Sequence, residues 1–164
     1  MIAALLVAAA LSGSPSPSEG GTTSSEVTET AAADALNPAA VEAISTVIYD
    51  YVDGQLEGDP ARVARALHPD LAKRAVRTRP DPDEPLGLRR MSRDELVELT
   101  RQGALRTPRD AWDRNVRVLD IAGNVASARA ETPWFVDYFH LGRFGDRWVI
   151  VNALWFPKPS QPTQ

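Results

Sequence analysis

An α+β fold is predicted by three features of this sequence. Helix signals crowd the first half of the chain, two β-hairpins occupy the second half, and no internal repeat or long heptad run interrupts that order. Helices followed by consecutive hairpins pack on one face of a curved antiparallel sheet. The 164 residues, 43% hydrophobic and 24% charged, are enough for one domain with a real core.

The net charge is −4. That balance argues against nucleic acid or an anionic membrane as a partner of the folded domain. The chain has no cysteine, which excludes disulfides, thiolate nucleophiles and cysteine zinc sites. His68 and His140 are the only histidines, so no metal site and no cofactor is assigned.

Ile2 to Leu11 is an apolar run, half of the roughly 20 residues a membrane span needs. Its length, and the small residues Ser12 and Gly13 after it, fit the core of a signal peptide, although no basic flank precedes it. Residues 1–13 are therefore read as a leader for export, to the periplasm or outside the cell. If the run is not a signal, the protein is cytoplasmic. Residues 14–35 are rich in Ser, Pro, Gly, Thr and Glu and read as a disordered linker. The domain proper spans residues 36–158, and residues 159–164 form a tail.

Asn37-Pro38 is a helix start, with Asn as N-cap and Pro in the first turn. Val41, Ile44, Val47, Ile48, Tyr51, Val52 and Leu56 follow at helical spacing and predict a helix to about Gly58. Asp59-Pro60 repeats the device for a short helix stopped by Pro69, and Leu71, Ala75 and Val76 suggest one further turn. Thr78 to Leu88, with three prolines, is a loop. Ser92 and Glu95 form a capping box for a helix from Arg93 to about Gln102, closed by Gly103. Val116 to Ile121 and Val125 to Ala130 are strands around Gly123-Asn124, with Leu119 and Ile121 beside Ala128 and Ala126.

The last hairpin organises the rest. Trp134 to Arg143 and Arg147 to Phe156 are aromatic and β-branched and flank a turn at Gly145-Asp146. A two-residue turn opposes Phe139 to Asn152 and Asp137 to Leu154. Alternation then puts Phe135, Asp137, Phe139, Asn152 and Leu154 on one face, and Val136, Tyr138, His140, Val149, Val151 and Trp155 on the other.

Asp137 is the leading candidate for acid/base chemistry, because an apolar face desolvates its carboxyl and raises its pKa. The bland alternative is a structural pairing with Arg129 or Arg143. His68 is a second catalytic candidate, weighed against a role capping a helix end. Tyr51, Phe139, Asn152 and Leu154 are candidate cavity residues around Asp137, with plain core packing as the alternative for Tyr51. The second face, with Val136, Tyr138, Val149, Val151 and Trp155, predicts a homodimer interface.

Two stretches carry a family resemblance. One is Tyr51 to Arg74, with Gly58-Asp59, Ala66-Leu67-His68-Pro69 and Lys73-Arg74. The other is Val136 to Asn152, with Asp137-Tyr138-Phe139-His140-Leu141 and Gly145-Asp146-Arg147-Trp148. With Ile121 to Ala128 they resemble the nuclear transport factor 2-like (NTF2-like, SnoaL-like) superfamily and, more narrowly, its putative lumazine-binding branch. The resemblance implies an α+β cone, N-terminal helices packed on a curved sheet, with a cavity inside. The reading is a small-molecule-binding domain for a small hydrophobic ligand. The alternatives are an acid/base lyase or isomerase acting on a hydrophobic cyclic substrate, and a non-catalytic interaction domain. The full carboxylate-plus-tyrosine set of the superfamily's isomerases is absent, so whether the chain is an enzyme stays open at this point.

Overall fold

The computed structural model describes residues 36–77 and 86–158. The leader, the linker, the tail and most of the proline-rich loop expected from the sequence lie outside the described residues.

The chain runs α1 (Pro38–Glu57), α2 (Pro60–Ala66), β1 (Leu67–Val76), β2 (Leu88–Met91), α3 (Arg93–Arg101), β3 (Asn115–Ala122), β4 (Val125–Glu131), β5 (Phe135–Phe144) and β6 (Arg147–Pro157). Asn37 caps α1 by accepting from the Ala39 and Ala40 amides, and Asp59 caps α2 in the same way. Gly58 ends α1 in the left-handed region at φ 77°, where a side chain is strained. Gly54 lets α2 approach α1: a Cβ there lies 2.9 Å from a Val63 methyl. Ser92 and Glu95 complete the capping box of α3.

Six strands form one mixed sheet in the order β2-β1-β6-β5-β4-β3. The core lies between α1 and one face of that sheet. Ile44, Ile48, Tyr51, Val52 and Leu56 pack against Ala126, Ala128 and Ala130 of β4 and Phe139, Leu141 and Ile150 of the last hairpin. Burying each large apolar side chain contributes about 1.5–3 kcal/mol. The alanines leave the room that α1 fills.

Three sequence-based expectations are corrected. First, the segment after α2 is a strand, not a helical turn, and it pairs parallel to β6. Its buried residues Leu71, Lys73 and Ala75 alternate. A lysine at the inward position hid that period, and the short, arginine-rich β2 was hidden in the same way. The sheet therefore has six strands rather than four and is not purely antiparallel.

Second, the first hairpin slips. Val118, not Leu119, opposes Ala128, because a bulge intervenes between Val118 and Asp120. Leu119 is 39% exposed. Third, the last hairpin keeps its expected register only as far as Leu141 opposite Ile150. Beyond that, His140 opposes Asn152, Phe139 opposes Ala153 and Asp137 opposes Trp155. Val151 is the extra residue of a β-bulge. One extra residue sends every later side chain of β6 to the other face. Trp155 thus turns inward with Asp137. Asn152 and Leu154 turn outward, and Leu154 is 48% exposed.

Candidate functional site

Asp137 sits on β5 with no exposed surface, on the inner face of the sheet. Neither arginine considered from the sequence answers it: Arg129 pairs with Glu131, and Arg143 donates to the Gly145 carbonyl. Its partner is Lys73 of β1, itself 5% exposed, whose ammonium lies 2.5 Å from Oδ1. Lys73 also donates to the Tyr51 hydroxyl at 2.9 Å. Tyr51 in turn meets the Phe139 ring edge-on at 5.7 Å. Three side chains from three elements, α1, β1 and β5, therefore meet in one buried polar cluster.

The Lys73 ammonium stands 5.3 Å from the centroids of both the Tyr51 and Trp155 rings, and 5.7 Å from that of Phe135. Its two hydrogen bonds, to Asp137 and Tyr51, occupy two of its three hydrogens. The ammonium is flanked by these aromatic rings, whose negative faces favour a cation. Among the described residues Asp137 Oδ2 has no hydrogen-bond partner, and neither has Trp155 Nε1. Unanswered buried polar atoms of this kind are rare in a folded protein.

The protonation states follow from burial and pairing. Burial pushes the Asp137 carboxyl above its ordinary value, against the downward pull of Lys73. Burial also lifts the Tyr51 phenol. For Lys73, burial acts to lower the pKa, but Tyr51 and Asp137 outweigh it and hold the group above its ordinary value. Lys73 is thus an ammonium, a charged donor rather than an amine nucleophile.

Lys73 is the one member of the cluster that reaches the wall of a cavity of about 240 Å³. That cavity is mostly apolar and opens between β2 and the end of α3. Leu96, Leu99 and Leu105 line it together with Phe135 and Trp155. Its polar wall is Lys73, Gln55, Thr100 and, on β2, Arg89. Asp137 and Tyr51 lie behind Lys73. The arrangement can present one charged donor to a hydrophobic guest. It does not offer the Asp137 carboxylate directly to a substrate proton.

The remaining candidates are placed as follows. Phe139 is buried beside Tyr51. Asn152 lies on the outer face, where its amide meets His140 Nδ1 at 3.1 Å. Asn152 and Leu154 are thus not cavity residues, for the reason given by the Val151 bulge. His68 directly follows the C-cap of α2 and is not among the residues lining the cavity. It lies on β1, stacks on Phe144 at 5.2 Å and accepts from the Asp70 amide. It lines a separate surface pocket with Pro69, Arg147 and Val149. Lys73, Trp155 and Arg89 were not among the sequence candidates. The inward period of Leu71, Lys73 and Ala75 was the signal for the first; the bulge concealed the second. Among the described residues no group of three or more acidic or histidine side chains could hold a metal ion.

Helices set against a curved, unclosed six-stranded sheet, with a cavity between them, define the NTF2-like class. Solved structures agree. An NTF2-like protein of unknown function from Methylobacillus flagellatus is similar, with a TM-score of 0.61 and 20% identity over 76% of this chain and 96% of that one. Another from Silicibacter pomeroyi has a TM-score of 0.59 and 16% identity over 71% and 94%. A ketosteroid isomerase-like protein from Erwinia carotovora atroseptica has a TM-score of 0.51 and 13% identity over 75% and 100%. At these identities the likeness shows the fold alone. A search of the curated proteins finds no match. The family model described as "Putative lumazine-binding" matches residues 39–156, and the chain belongs to that family.

Proposed function

We propose that this protein binds a compact, hydrophobic ring molecule in the cavity above Lys73. The observation that carries the reading is the buried ammonium at the wall of an otherwise apolar cavity. A charge is costly there unless it is answered, and here Asp137 and Tyr51 answer it from behind while one hydrogen remains. That hydrogen suits a carbonyl or similar oxygen on the guest. The volume, below the about 300–1,000 Å³ of drug-sized pockets, favours a small ring system over a long acyl chain. The family's description supports a small-molecule ligand. The acid/base lyase or isomerase reading is weaker, because Asp137 is sealed behind Lys73 and does not line the cavity.

Titration of 2-naphthamide, a flat neutral probe with a carbonyl oxygen, tests the reading. The wild-type protein should bind it, and Leu99→Trp, which fills the cavity, should not. Equal binding by both proteins, or none by the wild type, contradicts it.

We also propose that the outer sheet face pairs two copies of the chain. The patch differs from the one expected from the sequence. Trp155 has turned inward, Val149 is buried, and the exposed apolar residues there include Tyr138, Leu154 and Phe156. On the same row of the sheet, Arg74 and Arg90 flank Leu154 and Tyr138 on one side, with Arg129 and Arg117 on the other. Like charges repel when rows superpose, so the two sheets should cross. Sedimentation at about 50 μM, well above the Kd of a moderate interface, should show a dimer that Leu154→Arg dissolves. A wild-type monomer there contradicts the proposal.

A further inference from the structure

Resting on the binding reading above, we infer that the natural guest is a monoanion, a ring compound bearing one carboxylate or an equally acidic oxygen, and that Arg89 selects it. The inference starts from the charges around the cavity. Among the described residues its wall includes two cationic side chains, Lys73 and Arg89, and no acidic one. Asp137, behind the wall, neutralises Lys73. Arg89 makes no ion pair with a described residue, so among the described residues one positive charge at the cavity is uncompensated.

The position of Arg89 is unusual for its strand. It lies opposite Ala75, an inward-facing residue of β1, so it belongs to the same side of the sheet as Met91 and Lys73. Its guanidinium stands 5.3 Å from the Trp155 centroid, and the Lys73 ammonium is at the same distance from that ring. A single indole thus stacks with both cations and holds them at one end of the cavity. The C-terminal turn of α3, with Leu99 and Thr100, forms another part of the wall. Carbonyl dipoles there disfavour an anion, so the charged end of the guest lies at β2 and the rings lie against Leu96, Leu99 and Phe135.

One uncompensated charge, rather than several, indicates a monoanion; a phosphate dianion would exceed it. A guanidinium with no competing carboxylate can engage a carboxylate through two parallel hydrogen bonds. The bland alternative is that Arg89 only guards an edge strand against pairing with another chain. Arg90, on the outer side of the same strand, already serves that purpose, and a guard makes no distinction between charged and neutral guests.

That distinction is the test. The full chain is titrated with 2-naphthoate and with 2-naphthamide, which share the ring and differ in charge. The naphthoate should bind at least about tenfold more tightly, and raising the salt should erode only that advantage. Arg89→Gln, at an exposed position, should abolish the preference, bringing the two probes to equal affinity, and Arg89→Lys should restore part of it. If both probes bind equally, or the amide binds better, the anion inference is overturned while the binding reading stands. If Arg89→Gln leaves the preference intact, Arg89 is not the selector and the inference is likewise overturned. If neither probe binds, the binding reading itself fails and takes this inference with it.

Discussion

Two aspartates are buried among the described residues, and their surroundings could hardly differ more. Asp53, near the end of α1, is fully answered. Arg114 reaches both of its oxygens and Arg62 reaches one. Arg62 also binds Asp50 and Glu57, and Glu57 binds Arg109, so the carboxylates and guanidinium groups form a network open to solvent at its edges. Asp137 has one cationic partner, no exposure and one oxygen with no hydrogen bond. A saturated carboxylate holds α1, α2 and the start of β3 together. The undersaturated one is paired with a lysine that reaches the cavity wall. On the binding reading proposed above, that difference separates a structural aspartate from one beside a ligand site.

The comparison breaks most sharply if one partner is removed from each site. Lys73→Met strands a buried carboxylate and should cost about 3–5 kcal/mol, read from urea unfolding. Arg114→Gln leaves Asp53 with Arg62 and some access to water, so the same measurement should show about 1–2 kcal/mol. Equal costs would mean the two aspartates are not different in kind. Replacing both members of the buried pair, in Lys73→Met with Asp137→Leu, should recover most of the loss. Similar volumes without charge are often neutral in a core.

A smaller effect should appear in the pH dependence. Lys73 and Tyr51 are raised above their ordinary values of 10.5 and 10.0. Groups that bind protons more tightly when folded contribute stability that is complete below those values and is lost as pH rises through the folded ones. The buried cluster should therefore set the alkaline arm of the stability curve. Asp137, also raised, loses its contribution as pH rises above 3.8. Glu57 of the other network has the opposite sign. Its pKa is lowered by its hydrogen bond to Arg109, against partial burial, so its contribution is present above 4.5 and lost as pH falls. The double variant of Lys73 and Asp137 should flatten the alkaline arm, and Glu57→Gln the acid one. The reverse assignment would undo the comparison. Gly54→Ala touches neither carboxylate and should lower global stability by about 1–3 kcal/mol without separating the two sites, because its methyl group meets Val63 across the α1–α2 contact.

The helices were legible because their signals are local. Asn37-Pro38, Asp59-Pro60 and the Ser92–Glu95 box each mark a helix start with side chains that bind the first free amides. The strand turns at Gly123-Asn124 and Gly145-Asp146 were equally local. Bulges are not, and the one at Val151 decided which half of β6 faces the cavity. Asp137 precedes that break on β5 and was placed on the inner face. Asn152, Leu154 and Trp155 follow it on β6 and were each placed on the wrong face. Lys73 was illegible for another reason. A lysine at an inward strand position reads as exposure, and only its pairing with Asp137, 64 residues away, makes burial affordable.

The most direct test of the claim that Lys73 serves the cavity is calorimetric titration of 2-naphthamide into the variant carrying both Lys73→Met and Asp137→Leu. That variant should fold, because no charge is stranded, and should bind the probe at least about tenfold more weakly than wild type, the loss expected for one charge-assisted hydrogen bond. Arg114→Gln, measured alongside, should bind as wild type does. A folded double variant with unchanged affinity would show that the Lys73–Asp137 pair is a structural feature and would contradict the account.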